Sequence, residues 1–219
     1  MSPQRGGRIL WGAGTSRTIR AHWALHELGL TYERRPIEPR TGETQSEAFT
    51  ALSARQKIPL LQDDDLVITE SAAIVSYLSD AYGDERTRLV PTELRARAKC
   101  LEWCFFVISE LDATSLYVIR RHGPLRHIYG DAPQANEAAS AYFGKQMRSV
   151  ERALDETGPY ILGERFTAAD MLLSTCITWA VRYQVAVADR VLAYNRRVTE
   201  RPAYVRAVES NRPVADPAA

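Results

Sequence analysis

The feature that most constrains the fold is a change of pattern partway along the chain. Residues 8–82 alternate short apolar runs with amphipathic stretches, whereas no strand-like run follows Pro91. Short apolar runs bounded by turn residues indicate strands, and apolar positions three and four residues apart indicate helices. The order predicted for residues 8–82 is β-α-β-α-β-β-α, with the first helix ending at Gly29, the second strand over 31–37, a polar hairpin turn over 63–65 and the last helix over 71–82. Its first strands should be parallel with a right-handed crossover, and its last two form an antiparallel hairpin, so we expect a mixed sheet.

Only helices are predicted after Pro91, over 93–121, 133–156, 167–185, 189–200 and 202–209. The first of these helices carries two apolar series at helical spacing. One series comprises Leu94, Ala98, Leu101, Phe105 and Ile108. The other comprises Trp103, Val107 and Tyr117. Three roles fit this second series: lining a pocket for an apolar substrate, facing another chain, or packing against another helix.

The change of pattern also sets the expected domain boundaries. A polar run over 83–88 separates the strand-containing part from the helical part. We therefore predict an α/β domain over 1–83, a linker over 84–91 and an all-α domain over 92–219.

Composition excludes several classes of function. The chain has 28 Lys and Arg against 27 Asp and Glu, whereas a protein that neutralises nucleic-acid phosphates has a larger basic surplus. The longest apolar segment, 171–181, is too short to cross a bilayer. Three cysteines make no disulfide framework, and Cys100 and Cys104 are expected in the core. We expect a soluble cytoplasmic protein with no nucleic-acid or membrane partner, and the scattered histidines predict no metal.

The first candidate site follows the first strand, where residues 12–17 have the sequence Gly-Ala-Gly-Thr-Ser-Arg. The glycines permit a tight turn, and Thr15 and Ser16 then stand at a helix N-terminus, which favours an anion. A hydroxyl there could donate to a thiolate and lower the thiol pKa, or it could cap the helix, and one residue can do both. The glycine spacing does not fit the dinucleotide-binding pattern.

Two further segments carry candidate binding residues. Lys57, Ile58 and Pro59 begin a predicted strand, and a cis proline there would expose the backbone of Ile58 to a peptide-like ligand, although an ordinary trans bond is the simpler alternative. Glu70 and Ser71 begin the helix after the hairpin. Free N–H groups at that start suit a carboxylate and Glu70 suits an ammonium group, unless the pair serves only as a cap.

A fourth motif is structural. Thr167 and Asp170 have the spacing of a capping box, and Phe166 and Met171 fit the hydrophobic staple that accompanies one. This motif predicts the start of a strongly apolar, central helix.

Taken together, these motifs resemble the cytosolic glutathione S-transferase family. The resemblance extends over residues 8–210 and rests on the order of the elements and of four segments. The segments are Ala-Leu-His-Glu-Leu-Gly-Leu at 24–30, Lys-Ile-Pro-Leu-Leu at 57–61, Glu-Ser-Ala-Ala-Ile at 70–74 and Phe-Thr-Ala-Ala-Asp at 166–170. Each is weak alone, but their joint order and spacing are specific.

The resemblance implies a thioredoxin-like N-terminal domain that binds glutathione as co-substrate, with no metal. It implies a cis Pro59, with Ile58 pairing to the cysteinyl backbone of the ligand. It places Glu70 and Ser71 at the γ-glutamyl end and Lys57 near the peptide. The helical domain would supply the pocket for an apolar electrophile, and the protein would be a homodimer.

The resemblance is to the serine/threonine type, with theta-, zeta- and nu-like features. Tyrosine classes carry a Tyr near the end of strand one, where this chain has Trp11, and cysteine classes need a Cys that is absent before Cys100. Thr15 falls where theta- and zeta-like enzymes carry serine and nu-like enzymes carry threonine, with Ser16 beside it. The zeta Ser-Ser-Cys and nu-like Thr-Pro-Asn signatures are absent, which disfavours maleylacetoacetate isomerisation.

The expected function is therefore a glutathione transferase. Thr15 or Ser16 would stabilise the glutathione thiolate, and Arg17 would add positive charge near the sulfur. The thiolate would attack an electrophilic small molecule or a peroxide, in detoxification. A glutathione peroxidase or dehalogenase is a second enzymatic possibility, and the alternative from another class is a non-catalytic glutathione-binding or protein-interaction protein on the same fold.

Overall fold

The computed structural model describes residues 7–214, which divide into two compact units. The first unit contains the described residues up to Leu89 together with those from Arg201 onward, and the second contains Val90–Glu200. The boundaries expected from the sequence stay a prediction. The grouping seen here differs from them in placing the residues after Glu200 with the first unit.

The first unit is built on a four-stranded mixed sheet, which confirms the predicted α/β fold. Its elements are β1 (Arg8–Trp11), α1 (Thr18–Glu27), β2 (Glu33–Arg35), a 3-10 turn (Glu43–Gln45), α2 (Glu47–Leu52), β3 (Leu60–Asp63), β4 (Leu66–Thr69) and α3 (Ser71–Tyr82). The strand order is β2-β1-β3-β4. β1 and β2 are parallel, whereas β3 is antiparallel to both β1 and β4.

The core of this unit lies between the sheet and α1 and α3. Leu10, Leu25, Leu61, Ile74 and Leu78 have no exposed surface, and the strand register places Leu10 and Leu61 on the same face of the sheet. Burying each such side chain contributes roughly 1.5–3 kcal/mol, which fixes both helices on one face of the sheet.

α1 ends at a Schellman motif that the Gly29 position predicts. The amide of Leu30 donates to the carbonyl of Leu25 at 2.9 Å, and the amide of Gly29 donates to that of His26 at 3.3 Å. Gly29 has φ +64°, a left-handed conformation that glycine adopts without a Cβ penalty.

The second unit is all-helical, as predicted. It contains α4 (Leu94–Phe106), a π-helical stretch (Val107–Leu116), α5 (Tyr117–His122), α6 (Arg126–Tyr129), α7 (Pro133–Glu156), α8 (Ala168–Arg182) and α9 (Asp189–Thr199). The predicted capping box is confirmed at the start of α8, where Thr167 and Asp170 bond each other's backbone amides. Asp170 also accepts from the Tyr194 hydroxyl at 2.7 Å, and burial raises the pKa of this carboxyl.

The core-facing side of α4 and the π-helical stretch after it is not the side that carries the apolar series beginning at Leu94. Cys100, Cys104, Val107 and Leu111 are buried. In contrast, Leu94 is 78% exposed and Phe105 is 67% exposed. Both series have helical spacing, so periodicity alone does not distinguish the core face from an unpartnered apolar face.

The last helix, α10 (Pro202–Ser210), packs on α1 within the first unit. Arg201, just before α10, donates to both carboxylate oxygens of Glu27, at 2.6 and 2.8 Å. The rings of Trp23 and Tyr204 meet edge-on with centroids 4.7 Å apart. This bidentate ion pair and the aromatic contact hold the end of the described chain against α1. Within residues 7–214, no helix combines the length and the apolar character needed to cross a membrane.

Candidate functional site

The loop after β1 is held close to the strand-entry segment at Ile58. Gly12 has φ +115°, and a Cβ at this position would lie 2.7 Å from Cβ of Ile58 and 2.8 Å from Cγ2 of Thr18. Only glycine fits both the conformation and the space. The structure therefore brings together two of the segments singled out from the sequence, the 12–17 loop and 57–59.

Thr15 caps the start of α1. Its Oγ1 accepts from the backbone N–H of Thr18 at 3.0 Å and of Arg17 at 3.3 Å. Its carbonyl accepts from the amide of Ile19 at 3.2 Å, so helical bonding begins at Thr15. The capping interpretation is confirmed for Thr15. Both backbone bonds use lone pairs of Oγ1, so the hydroxyl hydrogen is the part left to donate. Oγ1 of Thr18, 2.9 Å away, is one acceptor within its reach.

Ser16, the next residue, differs from Thr15 in the hydrogen bonding of its hydroxyl. It is half-buried, and its hydroxyl has no hydrogen-bond partner among residues 7–214. Arg17, on the same turn, is also half-buried. The start of α1 thus offers one oriented hydroxyl and one uncommitted hydroxyl, beside backbone N–H groups whose dipole favours an anion.

The Ile58–Pro59 peptide bond is cis, as the resemblance implies. Pro59 is buried where β3 begins, Ile58 is half-buried and Lys57 is exposed. The side chain of Lys57 contacts no hydrogen-bond or ion-pair partner within the described part of the chain.

Glu70 has a conformation that is uncommon for a residue with a side chain. Its φ is +69° and its ψ is +114°, between the end of β4 and the start of α3. Holding a non-glycine residue there costs of the order of 1–3 kcal/mol, a strain found mostly at functional sites. The Glu70 carboxylate is 68% exposed and lies 3.4 Å from Nη1 of Arg55. It therefore stands in solvent at the N-terminus of α3.

Ser71 and Arg20 join α1 to the start of α3. Ser71 is buried, and its Oγ accepts from Nη1 of Arg20 at 3.3 Å. Arg20 is fully buried, which is rare for arginine and places a positive charge beneath the start of α3. The sequence reasoning missed Arg20. The signal was a charged residue on the same helix face as the buried Trp23 and Ala24.

His22 of α1 forms a hydrogen bond to the loop after β1. Its Nε2 lies 3.2 Å from the carbonyl oxygen of Gly12, and its Nδ1 lies 2.7 Å from the hydroxyl of Tyr32. A carbonyl only accepts, so Nε2 carries the proton and Tyr32 donates to Nδ1. Burial lowers the pKa of His22 to about 4, so the imidazole is neutral at pH 7.

The residues near this site suit an anion and a peptide-like ligand. Within residues 7–214, no group of three or more His, Cys, Asp or Glu side chains is arranged to hold a metal. Cys100, Cys104 and Cys176 are buried in the second unit, so none of them lies in the unit that carries this site. A sulfur nucleophile at the start of α1 would therefore come from a ligand.

Comparison with known proteins identifies the family. Residues 7–80 match the family model described as "Glutathione S-transferase, N-terminal domain". Glutathione S-transferase 3 of Zea mays is 30% identical over 207 residues, which cover 87% of this chain and 87% of that relative.

Solved structures agree with this assignment. The theta class glutathione S-transferase from the citrus canker pathogen Xanthomonas axonopodis pv. citri, with glutathione bound, has a TM-score of 0.78 at 26% identity, covering 92% of this chain and 97% of that one. Glutathione transferase F7 from Populus trichocarpa has a TM-score of 0.83 at 25% identity, covering 94% of this chain and 99% of that one. The chain therefore belongs to the glutathione S-transferase family.

Proposed function

We propose that the first unit binds reduced glutathione and that a hydroxyl at the start of α1 stabilises its thiolate. As a member of its family, the chain is a glutathione transferase. The observation that carries the proposed site is the Thr15 hydroxyl, oriented by the N–H groups of Thr18 and Arg17. A donor fixed before the ligand arrives stabilises developing negative charge without paying for reorganisation.

We assign the thiolate contact to Thr15, with Ser16 as the alternative. Thr15 is favoured because its lone pairs are occupied and its hydrogen is the part left to donate. Ser16 has a hydroxyl that no described residue orients. Arg17 adds a positive charge on the same turn, which favours the thiolate over the thiol.

The rest of the peptide is assigned to three segments. The backbone of Ile58 pairs with the cysteinyl part, and the exposed Lys57 lies near the peptide. Pro59 fixes the start of β3 beside them. Glu70 takes the ammonium group of the γ-glutamyl end, and Ser71 with the N-terminus of α3 takes its carboxylate. The exposed carboxylate of Glu70 and the buried positive charge of Arg20 support this polarity.

The thiolate would then displace a leaving group from an apolar electrophile, or attack a peroxide oxygen and break the O–O bond with release of the alcohol. We assign the pocket for this second substrate to the second unit. Trp103 and Tyr117 are half-buried in the second unit, so part of their apolar surface stays exposed and could contact a ligand. A detoxification role in the cytoplasm follows from this chemistry, because a reducing compartment keeps glutathione reduced. The free thiols of the three cysteines fit such a compartment.

We also propose a homodimer. Leu94 and Phe105 are strongly exposed on α4, and they lie on one helix face because they are eleven residues apart. In the first unit, Leu66 and Val67 of β4 are exposed as well. Large apolar side chains left exposed together on one helix face favour an interaction surface, and a second copy of this chain is the occupant that we propose.

Calorimetric titration with reduced glutathione tests the proposal. We expect a dissociation constant in or below the low millimolar range and turnover with at least one electrophile or peroxide in a substrate panel. Glu70→Gln should weaken binding about tenfold, since a charge-assisted bond is lost. Glu47→Gln, an exposed acid at the start of α2, is the matched control and should leave binding unchanged. Binding without turnover would indicate the non-catalytic alternative, and no binding would overturn the proposal.

A further inference from the structure

The chain after α10 lies against the loop that carries the proposed thiolate site. The carbonyl of Asn211 accepts from the amide of Gly14 at 2.8 Å. The position of a Cβ on Gly14 would be 3.1 Å from Cγ of Pro213. Arg34 donates from Nη2 to the carbonyl of Arg212 at 2.8 Å. All of these residues belong to the first unit, so the contacts are internal to it.

The side chain of Asn211 bridges the two ends of the first turn of α1. Its Nδ2 donates to the carbonyl of Thr15 at 3.1 Å, and its Oδ1 lies 2.6 Å from Oγ1 of Thr18. A carbonyl cannot donate, so the amide nitrogen must face Thr15 and the amide oxygen must face Thr18. Oγ1 of Thr18 also lies 3.0 Å from the carbonyl oxygen of Thr15, which already accepts from Nδ2 of Asn211 and from the amide of Ile19. The amide oxygen of Asn211 is the nearer acceptor, at 2.6 Å, so we assign the single hydroxyl hydrogen of Thr18 to Asn211.

This arrangement determines what the Thr15 hydroxyl can do. The two hydroxyl oxygens of Thr15 and Thr18 are 2.9 Å apart, and either has one hydrogen to give. When the Thr18 hydrogen is given to Asn211, Thr18 cannot donate to Thr15. Thr18 is also anchored by accepting from the amide of Thr15 at 3.0 Å. Within this pair only Thr15 can then donate, and a bound thiolate would accept that hydrogen in place of Oγ1 of Thr18.

We propose that Asn211 is a positioning residue for thiolate stabilisation, acting through Thr18 and Thr15. The proposal rests on the proposed function, because it assumes that a thiolate binds at the start of α1. Asn211 itself touches no ligand in this scheme. It holds the turn closed and keeps the Thr15 hydroxyl in its donor role.

The test is the pKa of the thiol in bound glutathione, followed by the ultraviolet absorbance of the thiolate as pH is varied. Asn211→Ala should raise this pKa by about one unit, the equivalent of about one hydrogen bond. Asn211→Asp should raise it further, because it keeps the size and the acceptor oxygen but places a negative charge near the thiolate. Calorimetry should show glutathione affinity within about twofold of the unaltered protein at a pH where the thiol is neutral.

Two controls separate this role from simple anchoring of the chain end. Arg34→Ala removes the bond to the carbonyl of Arg212 without touching Thr15 or Thr18, and should leave the thiol pKa unchanged. If Arg34→Ala shifted the thiol pKa as much as Asn211→Ala, the proposal would be overturned. The shift would then reflect loss of the packing of the whole segment after α10 and not a specific role of Asn211. Loss of thermal stability in both Asn211 variants with no shift in thiol pKa would also overturn it.

Failure of the proposed function gives a different result. If the unaltered protein binds no glutathione, or binds it with the thiol pKa of free glutathione, both the proposed function and the role of Asn211 are overturned. If the unaltered protein lowers the thiol pKa and the Asn211 variants leave it lowered, only the role of Asn211 is overturned.

Discussion

Nη1 of Arg20 lies 3.3 Å from Oγ of Ser71, and this contact joins the first turns of α1 and α3 inside the first unit. Both residues are buried, so the bond is shielded from water. The same two helix starts carry the proposed contacts to the two ends of glutathione. A buried guanidinium thus fixes the spacing of two ligand-binding segments that are far apart in sequence.

Arg20→Lys is expected to destabilise the protein and weaken glutathione binding. Lysine keeps the charge but loses the planar fork that arginine presents, so Ser71 loses its donor geometry. We expect a loss of about 1–2 kcal/mol in the free energy of unfolding in urea. The control is Arg17→Lys, at a half-buried position on the same helix start, and its effect on unfolding should be much smaller. Equal stability of both variants would contradict a structural role for Arg20.

The order of the elements was predictable, because it depends on local patterns. The glycine at 29, the polar turn of the hairpin and the capping box at 167–170 each fix a local geometry with little help from the rest of the fold. α3 spans Ser71–Tyr82 as expected. β2 is shorter than the predicted 31–37, covering only Glu33–Arg35, because hydrogen bonding to β1 and not composition sets its length.

Other features depend on contacts between distant parts of the chain. Asn211 meets Thr15 and Thr18 across nearly the whole sequence, and no local pattern marks it. The ion pair between Glu27 and Arg201, which places α10 on α1, is equally distant. The exposed face of α4 could not be recognised because two apolar series share the same spacing, and only packing decides between them. The π-helical stretch over Val107–Leu116 carried no sequence signal that we recognised.

Gly12→Ala should damage the site more than a substitution at an equally left-handed but open glycine. The added Cβ would lie 2.7 Å from Cβ of Ile58, so the loop or the strand start must shift. We expect a loss of about 2–4 kcal/mol in unfolding free energy, from backbone strain plus overpacking, and at least tenfold weaker glutathione binding. Gly42→Ala is the matched control, with φ +91° and nothing within 4 Å. It should cost about 1 kcal/mol and leave binding unchanged.

The stability of the protein should fall on acidification because of His22. Its pKa in the folded state is about 4, against 6.5 for the unperturbed group, so the unfolded chain binds the proton more readily. The stabilisation is therefore fully present above pH 6.5 and is lost as the pH falls towards 4. The expected contribution to this loss is about 3 kcal/mol between pH 8 and pH 4. Urea unfolding at both values should show a smaller loss for His22→Gln than for the unaltered protein. A control variant, His127→Gln, changes an exposed histidine and should keep the full loss.

Phe105→Glu should convert the proposed homodimer to a monomer. Phe105 is 67% exposed, so a charge there is tolerated by the isolated chain but not by a buried apolar interface. Light scattering coupled to size-exclusion chromatography measures the mass directly. Ala96→Glu adds the same charge to the opposite face of α4, nine residues away, and should leave the dimer intact. A monomeric unaltered protein, or a dimer that survives Phe105→Glu, would refute the assignment of this face.

The central claim is that a hydroxyl at the start of α1 holds the glutathione thiolate. The most direct measurement is the pKa of the bound thiol in the unaltered protein and in Thr15→Ala, Thr15→Ser and Ser16→Ala. An unperturbed thiol titrates near 8.5, and we predict a lower value in the complex. Thr15→Ala should raise it by about 1–2 units, Thr15→Ser should restore it, and Ser16→Ala should leave it unchanged. A shift confined to Ser16→Ala would move the role to Ser16. A bound thiol that titrates like the free one, or one that neither alanine variant shifts, would contradict the account.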